Sequence, residues 1–203
     1  MSIINKKDEF RELAAFTVLF YLIPILMLSF GYIPFEARHI VLFVMGLVLM
    51  AYAISKGIKA KELGFRRDNL KVALLKNLLY SMILVLLMYI FWQVGFLESV
   101  HYEGTFLFLV FYILVSVPIQ EFIFRSLMIY EIKIFTDNKY ALIGISSVMF
   151  SLMHVMYHSW QILVITLIAG IIWGITYLKW PNFWGVVLSH IIVGVAAVFV
   201  GII

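Results

Sequence analysis

The chain has 203 residues, of which 65% are hydrophobic and 13% charged, with a net charge of +4, no cysteine and a mean hydropathy of +1.08. A soluble domain runs near ~45–50% apolar and ~25% charged, so polar groups cannot cover this surface and its solvent is lipid. That excludes a disordered tail, a disulfide scaffold and, despite a pI near 9.2, a nucleic-acid-binding domain, and it leaves any chemistry to carboxylates, histidines and hydroxyls.

A helix crosses a bilayer core with roughly 20 largely apolar residues. Seven such runs occur in order: Leu13 to Phe30, His39 to Ser55, Asn77 to Leu97, Gly104 to Glu131, Tyr140 to Tyr157, Ser159 to Leu178, and Asn182 to Ile203. The fifth and sixth are one uncharged stretch, too long for a single crossing, and are divided at His158-Ser159-Trp160-Gln161. The expected fold is all-α, a polytopic bundle of about seven transmembrane helices forming one integral-membrane domain over residues 1–203. The first run reads as a retained signal anchor.

Charge sets the orientation, because short loops rich in Lys and Arg stay cytoplasmic. With the N-terminus inside, thirteen of the fifteen basic residues fall on the cytoplasmic side: Lys6, Lys7, Arg11, the cluster from Lys56 to Lys76, Lys133, Lys139 and Lys179. Arg38 is left outside with Glu36, Glu98 and Glu103, and Arg125 within a span. The C-terminus then lies outside, a bacterial cell membrane is the expected location, and the segment from Lys56 to Lys71 is expected against anionic headgroups.

Ionisable residues within lipid are costly and are functional candidates by default. The fourth run carries Pro118, Gln120, Glu121 and Arg125, the fifth His154, and the seventh His190. Glu121 and Arg125 are four apart and can pair on one helix face. Pro118 removes a helical hydrogen bond and should loosen the backbone just before Gln120. Ser147 and Ser151 are candidate partners for His154, while His39, His101 and His158 read as interfacial histidines. At about 1.5 Å per residue, Gln120, Glu121 and His190 fall in the inner half of the bilayer and His154 higher, so a common site requires tilt or a lower start of the fifth helix. Gly170 and Gly174 on the sixth run, with Gly185, Ser189 and Gly194 on the seventh, permit close helix packing.

The run Gln120-Glu121-Phe122-Ile123-Phe124-Arg125 resembles the EExxxR motif of the CPBP family of intramembrane proteases, also called Abi, which includes CAAX-processing proteases and bacteriocin-processing or immunity proteins. Phe150 to His154 resembles its FxxxH motif, and His190 the histidine of its HxxxN motif. Leu63-Gly64-Phe65-Arg66-Arg67 and Trp180-Pro181-Asn182-Phe183-Trp184 resemble segments framing the family core, so the likeness covers about residues 60–200.

That resemblance implies an intramembrane cavity in which a glutamate and a histidine activate water while a histidine and an asparagine stabilise the oxyanion. The water-activating position is Gln120 here, and the asparagine position, four after His190, is Gly194. Loss of a general base costs ~10²–10⁴ in rate and loss of an oxyanion donor ~10²–10³. Two readings follow. In the first, an endopeptidase for membrane-associated peptides or protein tails uses Glu121 with His154 as base, His190 on the scissile carbonyl and Arg125 to orient the carboxylate, with a water or Ser189 replacing the asparagine. In the second, a catalytically impaired member binds a peptide, confers bacteriocin immunity or scaffolds a membrane partner. A transporter would instead call for repeat symmetry or a discontinuous helix pair. No cofactor is expected. Two histidines and a carboxylate can ligate zinc, but without an HExxH pair no tightly bound metal is expected.

Overall fold

The computed structural model describes residues 15, 17–97 and 106–202. The predicted starts at Leu13 and Gly104, the expected end at Ile203, and His101 lie outside the described residues. A wide π turn, Val18–Leu22, runs into α1 (Ile23–Ser29), with Pro24 in its first turn. A 3-10 turn, Phe35–Ala37, leads into α2 (Arg38–Ser55), followed by α3 (Leu70–Gln93) and α4 (Phe106–Lys133). The last three are α5 (Lys139–Leu152), α6 (Trp160–Lys179) and α7 (Phe183–Val200). The six spans from Phe35 onward are long and apolar enough to cross a membrane, and Leu19–Ser29 is a shorter apolar helix. Among the described residues there is no strand, and the chain is an integral multi-pass membrane protein.

The expected division at His158–Gln161 holds, for clear local reasons. His158 adopts φ +52, in the left-handed region, and the Ser159 side chain caps α6 by accepting from the Ile162 N–H. Asn138 and Asn182 cap α5 and α7 in the same way. One boundary moves further than the others. α3 begins at Leu70, seven residues before the expected Asn77, because Lys71 and Lys76 at a span end can keep their ammonium groups at the interface while their stems cover apolar surface. Lys76 Nζ lies 5.8 Å from the centroid of the Trp180 ring.

α4 is the axis of the bundle. Its middle packs against α2, α5 and α7, while α7 also packs along α3 and α5 along α6. Val117, Ile123 and Phe124 are fully buried there. Leu75, Met82 and Leu86 on α3 are exposed, as side chains facing lipid should be. A buried polar clasp joins three helices: Thr176 Oγ1 donates to Asn77 Oδ1 at 3.0 Å, Ser81 Oγ to Ser189 Oγ at 2.8 Å, and Trp173 Nε1 to Ser189 Oγ at 2.9 Å.

The two framing segments meet at one end of the bundle. Asn182 Nδ2 donates to the Arg66 carbonyl at 2.9 Å, the Phe183 N–H to the Gly64 carbonyl at 2.9 Å, and the Phe65 and Phe183 rings lie 4.4 Å apart. Gly64 has φ +82, and a Cβ there would lie 2.7 Å from Tyr177 Oη. Only glycine lets that turn seat against α6 and α7.

Candidate active site

The expected opening of the fourth helix at Pro118 is present. A short α segment, Val117–Glu121, lies between two π turns, Tyr112–Ser116 and Phe122–Leu127. Such π turns often occur at functional sites. The irregularity projects the polar residues of α4 in two directions. Tyr112, Ser116 and Gln120, spaced i, i+4 and i+8, line a cavity of about 760 Å³, whereas Glu121 and Arg125 point into protein.

Glu121 and Arg125 are both fully buried, with Arg125 Nε 3.4 Å from Glu121 Oε2. The guanidinium also donates from Nη2 to the Gly170 carbonyl at 3.2 Å and lies 4.4 Å over Phe150 and 5.5 Å over Trp173. Gly170 matters to this contact, since a Cβ on it would meet Ser147 Cβ at 3.1 Å and Arg125 Nη2 at 3.4 Å.

The other carboxylate oxygen, Glu121 Oε1, lies 2.7 Å from His190 Nδ1. A carboxylate accepts, so Nδ1 carries the proton and Nε2 is left as the acceptor of the neutral ring. Trp173 stacks on the imidazole at 4.3 Å, and Phe150 and Tyr112 meet it edge-on at 5.5 and 6.2 Å. His190 lines the cavity.

His154 reaches the same cavity because α5 ends early, and not through the lower helix start that the depth reading allowed. α5 ends at Leu152, and His154 sits in the turn that follows, with φ −92 and ψ 2. Its Nδ1 lies 3.0 Å from the Phe150 carbonyl, which can only accept, so here too Nδ1 holds the proton and Nε2 is the acceptor. Neither expected serine partner bonds to it: Ser151 Oγ donates to the Leu163 carbonyl at 2.8 Å, and Ser147 Oγ is buried without a hydrogen bond.

Gln120, His154 and His190 thus line one cavity, while Glu121 and Arg125 lie behind His190. Glu121 is in contact with His190, and no hydrogen bond joins it to His154. Gln120 Nε2 donates to Ser116 Oγ at 2.9 Å, and its Oε1 is buried without a partner. Ser189 accepts from Trp173 and Ser81, is fully buried and does not line the cavity, so it offers no donor there. Gly194 lines a smaller adjoining cavity of about 80 Å³, together with Tyr112, His154 and His190. The large cavity opens between the α1–α2 connection, Gly31 to His39, and the α5–α6 turn, Met153 to Gln161. That is the end opposite the Lys56–Lys76 cluster. Of the interfacial histidines, His39 and His158 line this opening. Tyr112 and Ser116 were missed by motif reading, although their spacing from Gln120 carries the signal.

Among the described residues, no three His, Asp or Glu side chains come together in an arrangement that could hold a metal ion. Residues 102–196 match a family model described as Type II CAAX prenyl endopeptidase Rce1-like, consistent with the CPBP family. No curated protein and no solved structure matches the chain.

Proposed function

From its likeness to the CPBP intramembrane endopeptidases, we propose that this chain hydrolyses peptide bonds within the bilayer, using a water activated by histidine. The observation that carries the reading is the pair of imidazoles, His154 and His190, that line one cavity with Nδ1 engaged by the Phe150 carbonyl and by the buried Glu121 carboxylate, which leaves each Nε2 free to accept. His190 Nε2 takes a proton from water as the water oxygen attacks the scissile carbonyl carbon, and the carbonyl electron pair moves onto oxygen. Glu121 keeps the ring oriented and stabilises the imidazolium, as a buried carboxylate does behind a catalytic histidine. Collapse of the tetrahedral intermediate expels the amine, which receives that proton from His190. His154 Nε2 accepts the second hydrogen bond of the attacking water and aligns it.

Gln120 cannot act as a base, and this assignment does not require it to. Arg125 offsets the charge of Glu121 in the protein interior. The apolar walls of the cavity, including Ile25, Leu28, Leu42, Met45 and Phe108, suit short apolar peptides or membrane-protein tails entering from the bilayer. The family description concerns prenyl substrates, and no residue in this cavity gives a reason to add a prenyl group to that list.

Gln120 also favours the second reading, a peptide-binding member without catalysis, because an amide occupies the family's carboxylate position. The test is mass-spectrometric mapping of cleavage in a library of apolar peptides by detergent-purified protein. The native chain is expected to cleave, and His190→Ala and His154→Ala are each expected to lose ~10²–10⁴ in rate. Cleavage that appears only in Gln120→Glu would contradict the proposal and favour the binding protein.

A further inference from the structure

The two histidines offer the cavity acceptors, so a developing oxyanion needs a donor from elsewhere. The position where the family motif carries an asparagine is a glycine, and that space is filled. A Cβ built on Gly194 would overlap the Tyr112 hydroxyl and lie 2.6 Å from Tyr112 Cζ and 2.8 Å from Cε1. An asparagine at 194 would therefore have to displace the Tyr112 ring from the place it holds here. Tyr112 lines both the large cavity and the small one beside Gly194, and its ring meets His190 edge-on at 6.2 Å. The π turn that begins at Tyr112 places it on the same stripe of α4 as Ser116 and Gln120.

We propose that the Tyr112 hydroxyl takes the place of the missing amide and donates the hydrogen bond that stabilises the tetrahedral oxyanion, with Gly194 serving to admit it. This rests on the endopeptidase reading above. A phenol is a competent donor for such a site, since preorganised side-chain hydroxyls stabilise charge that develops only in the transition state. The other candidates are placed less well. Ser189 is fully buried and lines neither cavity, and Gln120, which gives one of its two amide N–H groups to Ser116, does not line the small cavity beside Gly194.

The experiment measures steady-state cleavage by purified native chain, Tyr112→Phe, Tyr112→Ala, Tyr112→Ala with Gly194→Asn, and His154→Ala, using one peptide cleaved in the library assay. Tyr112→Phe keeps the ring and removes only the donor. It is expected to lower kcat ~10²–10³-fold with KM within about twofold, the signature of an interaction made in the transition state. Tyr112→Ala vacates the space, and adding Gly194→Asn to it is expected to recover at least about tenfold of the lost kcat by returning a side-chain amide to the site. An unchanged kcat in Tyr112→Phe, with cleavage still abolished by His154→Ala, would overturn this inference and leave the endopeptidase reading standing. A rise in KM at constant kcat would overturn it as well. Absence of any His154-dependent cleavage by the native chain would overturn both.

Discussion

Arg125 shows how far a single residue is committed to its surroundings. Its guanidinium is fully buried, holds Glu121 at 3.4 Å, donates to the Gly170 carbonyl and lies over two aromatic faces. Removing one partner of a buried ion pair leaves an uncompensated charge and costs about 3–5 kcal/mol. Arg125→Ala is expected to lower unfolding stability in detergent by that order. Arg125→Lys should recover only part of the loss, because an ammonium lacks the planar fork that reaches Glu121 and Gly170 together. Thermal unfolding of the two variants checks this, and equal stability of Arg125→Lys and the native chain would contradict it. The pairing of Glu121 with Arg125 was legible from their spacing of four. The contact of Glu121 with His190 was not, since it depends on the rotation that two π turns give to α4.

Among the elements, α7 carries His190 and is fixed at its start by Asn182. That side chain caps the helix by accepting from the Trp184 and Gly185 N–H groups and ties it to the segment before α3 through the Arg66 carbonyl and Asn69 Oδ1. A lost cap alone costs about 0.5–2 kcal/mol, and the part-buried acceptors left behind add to it. Asn182→Ala is therefore expected to destabilise the fold by more than a simple cap, whereas Asn138→Ala, whose cap is exposed, should cost only the cap. Chemical or thermal unfolding of the two single variants tests the ordering, and a larger loss in Asn138→Ala would refute it. The sequence displayed Leu63–Arg67 and Trp180–Trp184 as separate likenesses. That they are two halves of one clasp depends on tertiary pairing and on the left-handed Gly64, which one-dimensional periodicity does not encode. Likewise, helical rise alone placed His154 apart from His190, and the unwinding of α5 at Leu152 brings both to one cavity.

At the scale of the whole molecule, spans were the most legible feature, because a bilayer demands long apolar runs whatever their packing. The cavity was the least legible, since its walls come from α1, α2, α4, α7 and the α5–α6 turn. The basic cluster from Lys56 to Lys76 and the cavity mouth lie at opposite ends of the bundle. The positive-inside rule predicts that the cavity opens on the non-cytoplasmic face. A chain without cysteine is well suited to the test: His158→Cys should react with a membrane-impermeant thiol reagent applied to intact cells, and Lys61→Cys only after permeabilisation. The reverse pattern would invert the topology and with it the side from which substrate reaches the cavity.

The proposed hydrolysis adds the oxygen of a histidine-activated water to the scissile carbonyl carbon. Cleavage of a defined peptide in H₂¹⁸O, followed by mass spectrometry of the products, tests this. One ¹⁸O atom is expected in the newly formed C-terminal carboxylate with the native chain, and no such product above background with His190→Ala. Absence of labelled product from the native chain, or equal labelling by His190→Ala, would contradict it.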